Sequence, residues 1–265
     1  MRAFILTLIV GVWSAGVAAA HDPWLQTNAN VVRVGDNVHI DLMLGNHGND
    51  HRDFKIAGKM DLAGSTVEVR GPDGKRYDLK DRLIDLGYAP KEGFWTARFA
   101  PGQPGLYLAV HTSDKVASYA PTRIVRSAKT CFVAAKSLDK VTEDNPGFDK
   151  ALGHPFELIS ETNPVTPMGP GTPIKVRLQY KGKPLAGERV SFIPRGATLT
   201  EGFDPRFERK TDERGRASFT PNEGNYYLVV AHKAEPNERG EGYTSTKYSA
   251  TLTVLVPQIC PCCGE

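Results

Sequence analysis

The sequence predicts an all-β fold in which two consecutive immunoglobulin-like β-sandwich modules follow a cleaved signal peptide. Three observations predict it: alternation of apolar and polar residues, closely spaced turn signals and an internal repeat. Val38, Ile40 and Leu42 alternate with more polar residues, so they share one face of a strand. Turn sequences rich in glycine and proline, at 71–74 and 101–105, separate such runs. This rhythm is typical of a β-sandwich.

The internal repeat indicates two modules. Residues 95–101 and 106–111 resemble residues 216–221 and 226–232, and each pair is predicted to form a hairpin that ends in a histidine. The polar stretch between the copies is a predicted linker. The predicted organisation is a signal peptide (1–20), an N-terminal β-sandwich with a candidate metal site (21–133), a linker (134–150), a C-terminal Ig-like β-sandwich (151–257) and a Cys-rich tail (258–265).

The N-terminus predicts export. Arg2 precedes an apolar run over 3–13, and the small residues of 18–20 match a signal-peptidase site. We therefore expect a periplasmic or secreted protein whose mature chain begins at His21. No later apolar run approaches the roughly 20 residues that a membrane-spanning helix needs, so the mature chain is predicted to lack a transmembrane segment.

Composition and motifs exclude several classes of function. The net charge of +3 is spread along the chain without basic blocks, which argues against nucleic-acid binding. The sequence lacks a nucleophile elbow, a zincin motif, a phosphate-binding glycine loop and a dinucleotide fingerprint, so no catalytic residues are assigned and a hydrolase or a nucleotide-dependent enzyme is not expected.

The four cysteines leave two interpretations open. Cys260, Cys262 and Cys263 crowd the C-terminus, whereas Cys131 lies alone near the middle of the chain. Reduced, the tail cysteines would be soft ligands for ions such as Cu(I) or Zn²⁺. In an oxidising compartment they would instead form disulfides, with Cys131 or with another chain. The sequence does not choose between these states.

The mature N-terminus is the strongest candidate metal ligand. After cleavage, His21 would offer its α-amine and its imidazole Nδ1, which close a chelate ring on a single ion. The α-amine has an ordinary pKa of about 7.7 to 8.0, so a transition metal displaces its proton near neutral pH. Imidazole and amine nitrogens suit Ni²⁺, Co²⁺, Cu²⁺ and Zn²⁺.

Three further histidines complete the predicted metal site of His21, His47, His51 and His111. His47 and His51 lie four residues apart in a segment whose Gly, Asn and Asp residues predict a loop. His111 ends the predicted strand 106–110 and shares a strand face with Tyr107. Each also has a plainer interpretation, as a polar loop residue or as a strand-end histidine bonded to the backbone.

Short motifs carry a family resemblance. The turn sequence at 182–187 and the Asp-x-x-Gly sequence at 212–215 resemble carboxypeptidase-regulatory-like and related Ig-like modules. Together with His-x-x-Trp-Leu at 21–25 and Leu-Gly-His-Pro-Phe-Glu-Leu at 152–158, the chain resembles the domain-of-unknown-function 4198 family (DUF4198) over nearly its whole mature length. That resemblance implies an extracytoplasmic accessory protein of nickel or cobalt uptake, of the NikK type.

Three functional hypotheses follow. The first is a periplasmic protein that binds Ni²⁺, Co²⁺ or Cu²⁺ through His21 and presents the ion to a membrane importer. The second is a copper oxidase, because an N-terminal histidine on a β-sandwich resembles the histidine brace of lytic polysaccharide monooxygenases. Such an enzyme needs a flat aromatic face, which Trp24, Trp95, Tyr226 and Tyr227 would have to supply. The third is a non-catalytic Ig-like interaction protein.

Overall fold

The computed structural model describes residues 21–45, 56–90 and 92–258. These residues form β-strands and connecting loops, with one short 3₁₀ turn at Lys80–Arg82. The predicted all-β sandwich fold is therefore confirmed. Among the residues that the structure describes, no helix has the length and apolar character needed to cross a membrane.

The strands are numbered in chain order. Those of the N-terminal half are β1 (Asp22–Thr27), β2 (Val31–Arg33), β3 (Val38–Gly45), β4 (Ile56–Gly58), β5 (Ser65–Arg70), β6 (Arg76–Asp78), β7 (Ile84–Asp85), β8 (Trp95–Phe99), β9 (Gly105–Val116) and β10 (Thr122–Ala135). Those of the C-terminal half are β11 (Phe156–Ser160), β12 (Ile174–Tyr180), β13 (Lys183–Pro184), β14 (Arg189–Pro194), β15 (Glu208–Lys210), β16 (Arg216–Phe219), β17 (Asn225–Glu235) and β18 (Ser245–Val256).

The strands form three sheets. The N-terminal sheet has the order β1-β3-β8-β7, with β4 on β3. The C-terminal sheet has the order β11-β12-β13, with β16 on β12. The shared sheet has the order β15-β14-β17-β18-β10-β9-β5-β6, with β2 on β10. The N-terminal sheet packs on one half of the shared sheet and the C-terminal sheet on the other half, so each sandwich has its own apolar core.

One strand pair joins the two halves. Strands β10 and β18 run parallel, in register from Thr122 opposite Ser245 to Thr130 opposite Thr253. The backbone hydrogen bonds of this pair make the shared sheet continuous across both sandwiches. The two sandwiches are consequently not connected by the chain alone. Strand β10 ends at Ala135, just inside the predicted linker, and the proposed division into domains stays a prediction.

The predicted hairpins of the internal repeat are wrong. Strand β8 belongs to the N-terminal sheet, whereas β9 belongs to the shared sheet, and β16 and β17 are separated between sheets in the same way. In both halves the connecting turn therefore carries the chain across the sandwich instead of folding it back. The repeat is real, but it describes a crossover between layers.

Strand β1, at the edge of the N-terminal sheet, packs against the second sandwich and is buried along its whole length. Its Leu25 side chain enters the first core, whereas Trp24 packs on the other side, in a cluster with Ile193 and Leu228 of the second half. Backbone carbonyls of β1 accept hydrogen bonds from the second half, at Pro23 from Thr251 Oγ1 (2.8 Å) and at Thr27 from the Tyr226 hydroxyl (2.9 Å). Strand β1 is thereby fixed to both halves.

The segment 152–158 forms a structural joint around Glu157. The Glu157 carboxylate is buried and accepts hydrogen bonds from the backbone N–H groups of Leu152 (2.8 Å), Gly153 (3.0 Å) and His154 (3.1 Å). It also pairs with buried Lys129 of β10, with Nζ 2.7 Å from Oε1. Burial alone would raise the pKa of Glu157, but the Lys129 charge and these hydrogen bonds hold it below its usual range.

Candidate functional site

The predicted ligand His21 sits immediately before β1 and is exposed. Its carbonyl oxygen accepts a hydrogen bond from Arg126 Nη2 (3.1 Å), a side chain of β10. The next residue, Asp22, is fully buried and contacts His232 of β17, with Oδ2 2.6 Å from Nε2. Residue 21 is thus held at its own carbonyl and through the next residue, although it is itself exposed.

The predicted ligand His111 is completely buried in β9. Its Nδ1 lies 2.8 Å from the carbonyl oxygen of Thr66 on the neighbouring strand β5. A carbonyl only accepts, so Nδ1 carries the hydrogen and Nε2 keeps its lone pair. Within the described residues Nε2 is buried and has no hydrogen-bond partner. Histidines that bind metals are commonly oriented in this way, through a bond from the other ring nitrogen.

Strand alternation brings His21, His111 and Arg126 to one end of the first sandwich, called here the His21 end. Alternate residues of a strand point to the same side. His111 alternates with Tyr107 and Ala109, and Arg126 alternates with Ala128, which lies directly opposite His111. Tyr107, Ala109 and Ala128 belong to the first core. Leu25 also belongs to it, and by alternation His21 lies on the same side of the chain as Leu25.

The predicted ligands His47 and His51 lie outside the described residues. The strands that flank them are described: Gly45, the last residue of β3, pairs both with Asp22 and with Ile56, the first residue of β4. The described chain therefore leaves β3 and re-enters β4 beside the His21 end. The contribution of these two histidines remains a prediction from the sequence.

Burial controls the electrostatics of the His21 end. It lowers the pKa of His111 to about 4, despite the hydrogen bond to Thr66, so this imidazole is neutral at physiological pH. Burial also lowers the pKa of Arg126, and the nearby Asp22 carboxylate opposes that shift. A guanidinium nonetheless stays protonated in proteins. The site thus combines a neutral imidazole, a fixed cation and an adjacent carboxylate.

The buried neutral state of His111 predicts a loss of stability in mild acid. The imidazole has a pKa of about 4 in the folded protein and an ordinary value of 6.5, so the unfolded chain binds the extra proton between these values. Stability is therefore lost as the pH falls from about 6.5 towards 4. Between about pH 7 and pH 5, wild type should lose about 2 kcal/mol more unfolding free energy than His111→Gln, measured by urea denaturation.

The exposed His39 provides the control for this measurement. His39→Gln removes an exposed histidine of the same half and controls for the replacement of a histidine as such. Equal pH dependence in wild type and His111→Gln would show that His111 is not a buried neutral group.

Two contacts of the site were not predicted. Arg126 and the Asp22–His232 pair lie next to residue 21. The sequence predicted only the four histidines as members of the site. Alternation contained a signal for Arg126, since it is a charged residue on the face that otherwise carries Ala128 and Phe132 of the first core. His232 had no such signal, because its neighbour Asp22 is 210 residues away.

The structure also bears on the other candidates, which are the cysteines and the four aromatic residues. Within the described residues no group of three or more His, Cys, Asp or Glu side chains is arranged to hold a metal ion. Cys131 is a buried thiol outside any disulfide, and burial raises its pKa to about 12, while the tail cysteines lie outside the described residues. Trp24 and Tyr227 are buried and Trp95 and Tyr226 are half-buried, so these aromatics form no exposed flat face.

Comparisons with known proteins identify a family and no activity. A family model described as a domain of unknown function (DUF4198) matches residues 18–235. No curated protein matches the chain.

Similar solved structures include the D0-D1 domain of intimin, 12% identical, covering 88% of this chain and 97% of that one, with a TM-score of 0.24. A Salmonella alpha-2-macroglobulin mutant is 14% identical and a Legionella pneumophila DUF4785 family protein 10% identical. They cover 89% and 78% of this chain and 15% and 50% of their own chains, with TM-scores of 0.26 and 0.27.

Proposed function

The chain belongs to the DUF4198 family, and we propose that it captures a divalent transition-metal ion, nickel, cobalt or copper, outside the cytoplasm and presents it to a membrane importer. The ion would bind the α-amine and the imidazole Nδ1 of His21, which the predicted cleavage after Ala20 creates. The family resemblance of the motifs at 21–25 and 152–158 favours nickel or cobalt. No reaction is part of this function.

The anchoring of β1 is the observation that carries this proposal. A chelate at a frayed chain end loses affinity, because ordering the terminus costs conformational entropy when the ion binds. Here the six residues after His21 are buried, and the His21 carbonyl itself is bonded to Arg126. The chelating residue is therefore held before any ion arrives.

His111 supports the same proposal from the opposite sheet. Its ring is neutral, oriented by Thr66, and carries a buried lone pair on Nε2. These are the properties that a nitrogen ligand for Ni²⁺ or Cu²⁺ needs. In the proposed site His111 adds a third nitrogen, and the predicted ligands His47 and His51 or solvent fill the remaining positions.

The test is calorimetric titration of the mature protein, beginning at His21, with Ni²⁺, Co²⁺, Cu²⁺ and Zn²⁺. A second protein carries four extra residues, Gly-Ser-Gly-Ser, before His21, which moves the α-amine away from the His21 imidazole but leaves every side chain of the chain in place. We expect the extended protein to bind Ni²⁺ about 100-fold more weakly, or about 2.7 kcal/mol. His39→Ala, which removes an exposed histidine of the same half, serves as the matched control and should retain wild-type affinity.

Equal affinity of the extended and mature proteins would exclude the N-terminal chelate. In that case the interaction-protein hypothesis would account better for the fold. Hydrogen peroxide production by the copper-loaded protein with a reductant would instead favour the oxidase hypothesis.

A further inference from the structure

The guanidinium of Arg126 is an unusual neighbour for a metal site. Its Nη2 donates to the His21 carbonyl, while its Nε is buried and has no hydrogen-bond partner within the described residues. The Nε2 of fully buried His111, on the adjacent strand, is in the same condition. The His21 end therefore contains two buried nitrogen atoms, one donor and one acceptor, that nothing in the described chain satisfies.

Buried polar atoms without partners are costly, and native proteins rarely leave them so. At this place a ligand would satisfy both atoms. The donor requires an acceptor oxygen, and the lone pair of His111 requires a metal ion or a donated hydrogen.

A fixed positive charge beside His21 also opposes the binding of a bare cation. Like charges repel, and the repulsion is stronger where burial lowers the effective dielectric constant. Asp22 offsets part of the Arg126 charge, but Asp22 is itself engaged with His232. An ion that brings its own anion would remove the conflict and satisfy the free Nε–H.

We propose that the His21 end binds the metal ion together with a small carboxylate, which the Arg126 guanidinium receives. This inference rests on the proposed function and specifies its cargo as an ion with a carboxylate ligand instead of the aqueous ion alone. One carboxylate oxygen coordinates the ion, and the carboxylate accepts the hydrogen bond from Arg126 Nε. A carboxylate fits better than a phosphate, because one guanidinium and one neutral imidazole match a single negative charge.

The experiment measures Ni²⁺ affinity of the mature protein in sodium acetate and in sodium chloride at equal ionic strength. Acetate is the probe because it carries one carboxylate and competes weakly for the ion. We expect acetate to tighten Ni²⁺ binding about fivefold or more, the lower end of ordinary coupling between two ligands. Sodium phosphate at the same ionic strength should not reproduce the gain.

Variants of β10 assign the effect to Arg126. In Arg126→Gln the acetate gain, which is the ratio of the Ni²⁺ affinities in acetate and in chloride, should vanish. This ratio is compared within the variant, because the loss of the bond to the His21 carbonyl changes both affinities alike. Arg123→Gln is the matched control: it lies on the same strand, its guanidinium pairs with Asp114, and it should keep the full acetate gain. Arg126→Lys retains the charge without the Nε–H and should keep less than half of the gain. Thermal unfolding monitors the integrity of each variant.

The outcomes separate this inference from the proposed function. Tight Ni²⁺ binding that is equal in acetate and chloride overturns the carboxylate inference alone, and this comparison needs only the wild-type protein. An acetate gain that survives in Arg126→Gln also overturns it. Absence of binding of Ni²⁺, Co²⁺ and Cu²⁺ by the mature protein in either salt defeats the proposed function, and the inference with it.

Discussion

Replacing Glu157 by glutamine is expected to lower the free energy of unfolding by about 3 kcal/mol. The substitution preserves the shape of the side chain but removes its charge. Lys129, whose side chain is 5% exposed, would then keep a buried ammonium group without its counter-ion. Breaking a buried pair from one side is strongly destabilising for this reason. Urea denaturation at neutral pH measures the loss.

Glu161→Gln is the matched control for the Glu157 variant. Glu161 pairs with Arg216 at 3.0 Å, but the Arg216 side chain is 46% exposed, so solvent screens the pair. This variant should lose less than about 1 kcal/mol. A second comparison replaces both buried partners, as Lys129→Met with Glu157→Gln, and should recover part of the loss. Equal effects at positions 157 and 161 would contradict the assignment of Glu157 as the joint between the halves.

Trp24→Ala is expected to cost about 3 to 5 kcal/mol. The Trp24 side chain is completely buried and packs against Ile193 and Leu228 of the second half. Its removal leaves a cavity between strand β1 and the outer face of the second sandwich. Calorimetric melting should therefore show a markedly lower Tm for this variant.

An exposed aromatic residue controls for the size of the Trp24 substitution. Tyr88 is 75% exposed, so Tyr88→Ala should change the unfolding free energy by less than about 0.5 kcal/mol. If Trp24→Ala were as mild as Tyr88→Ala, β1 would not be anchored between the sandwiches, and the main support for the N-terminal chelate would disappear.

The sequence alone was sufficient to predict the strands that have one buried face. Val38, Ile40 and Leu42 alternate as predicted and lie in the first core. Strand β1 escaped prediction because both of its faces are buried, which removes the alternation on which the inference depends. Which strands pair with each other could not be predicted either. Strands β10 and β18, for example, are far apart in the sequence, and no local pattern indicates that they pair.

The surroundings of the candidate ligands could be predicted only in part, for similar reasons. Alternation correctly gave the face of His111, shared with Tyr107, and the structure adds that this face is the buried interior. The surroundings of His21 could not be derived, because Arg126 and His232 reach residues 21 and 22 only through tertiary packing. The local sequence can identify candidate ligand residues, but it does not indicate which distant strands contact them.

The parallel pairing of β10 with β18 also has a kinetic consequence. Thr122 and Ser245 are partners across 123 residues, so closing this pair requires ordering a very long loop. Folds dominated by such distant pairings fold slowly. Strand β18 pairs with both β10 and β17, so each of these two strands keeps an unpaired edge until β18 joins the sheet. Unpaired strand edges invite aggregation, and the protein is therefore most vulnerable while β18 has not yet paired with β10 and β17.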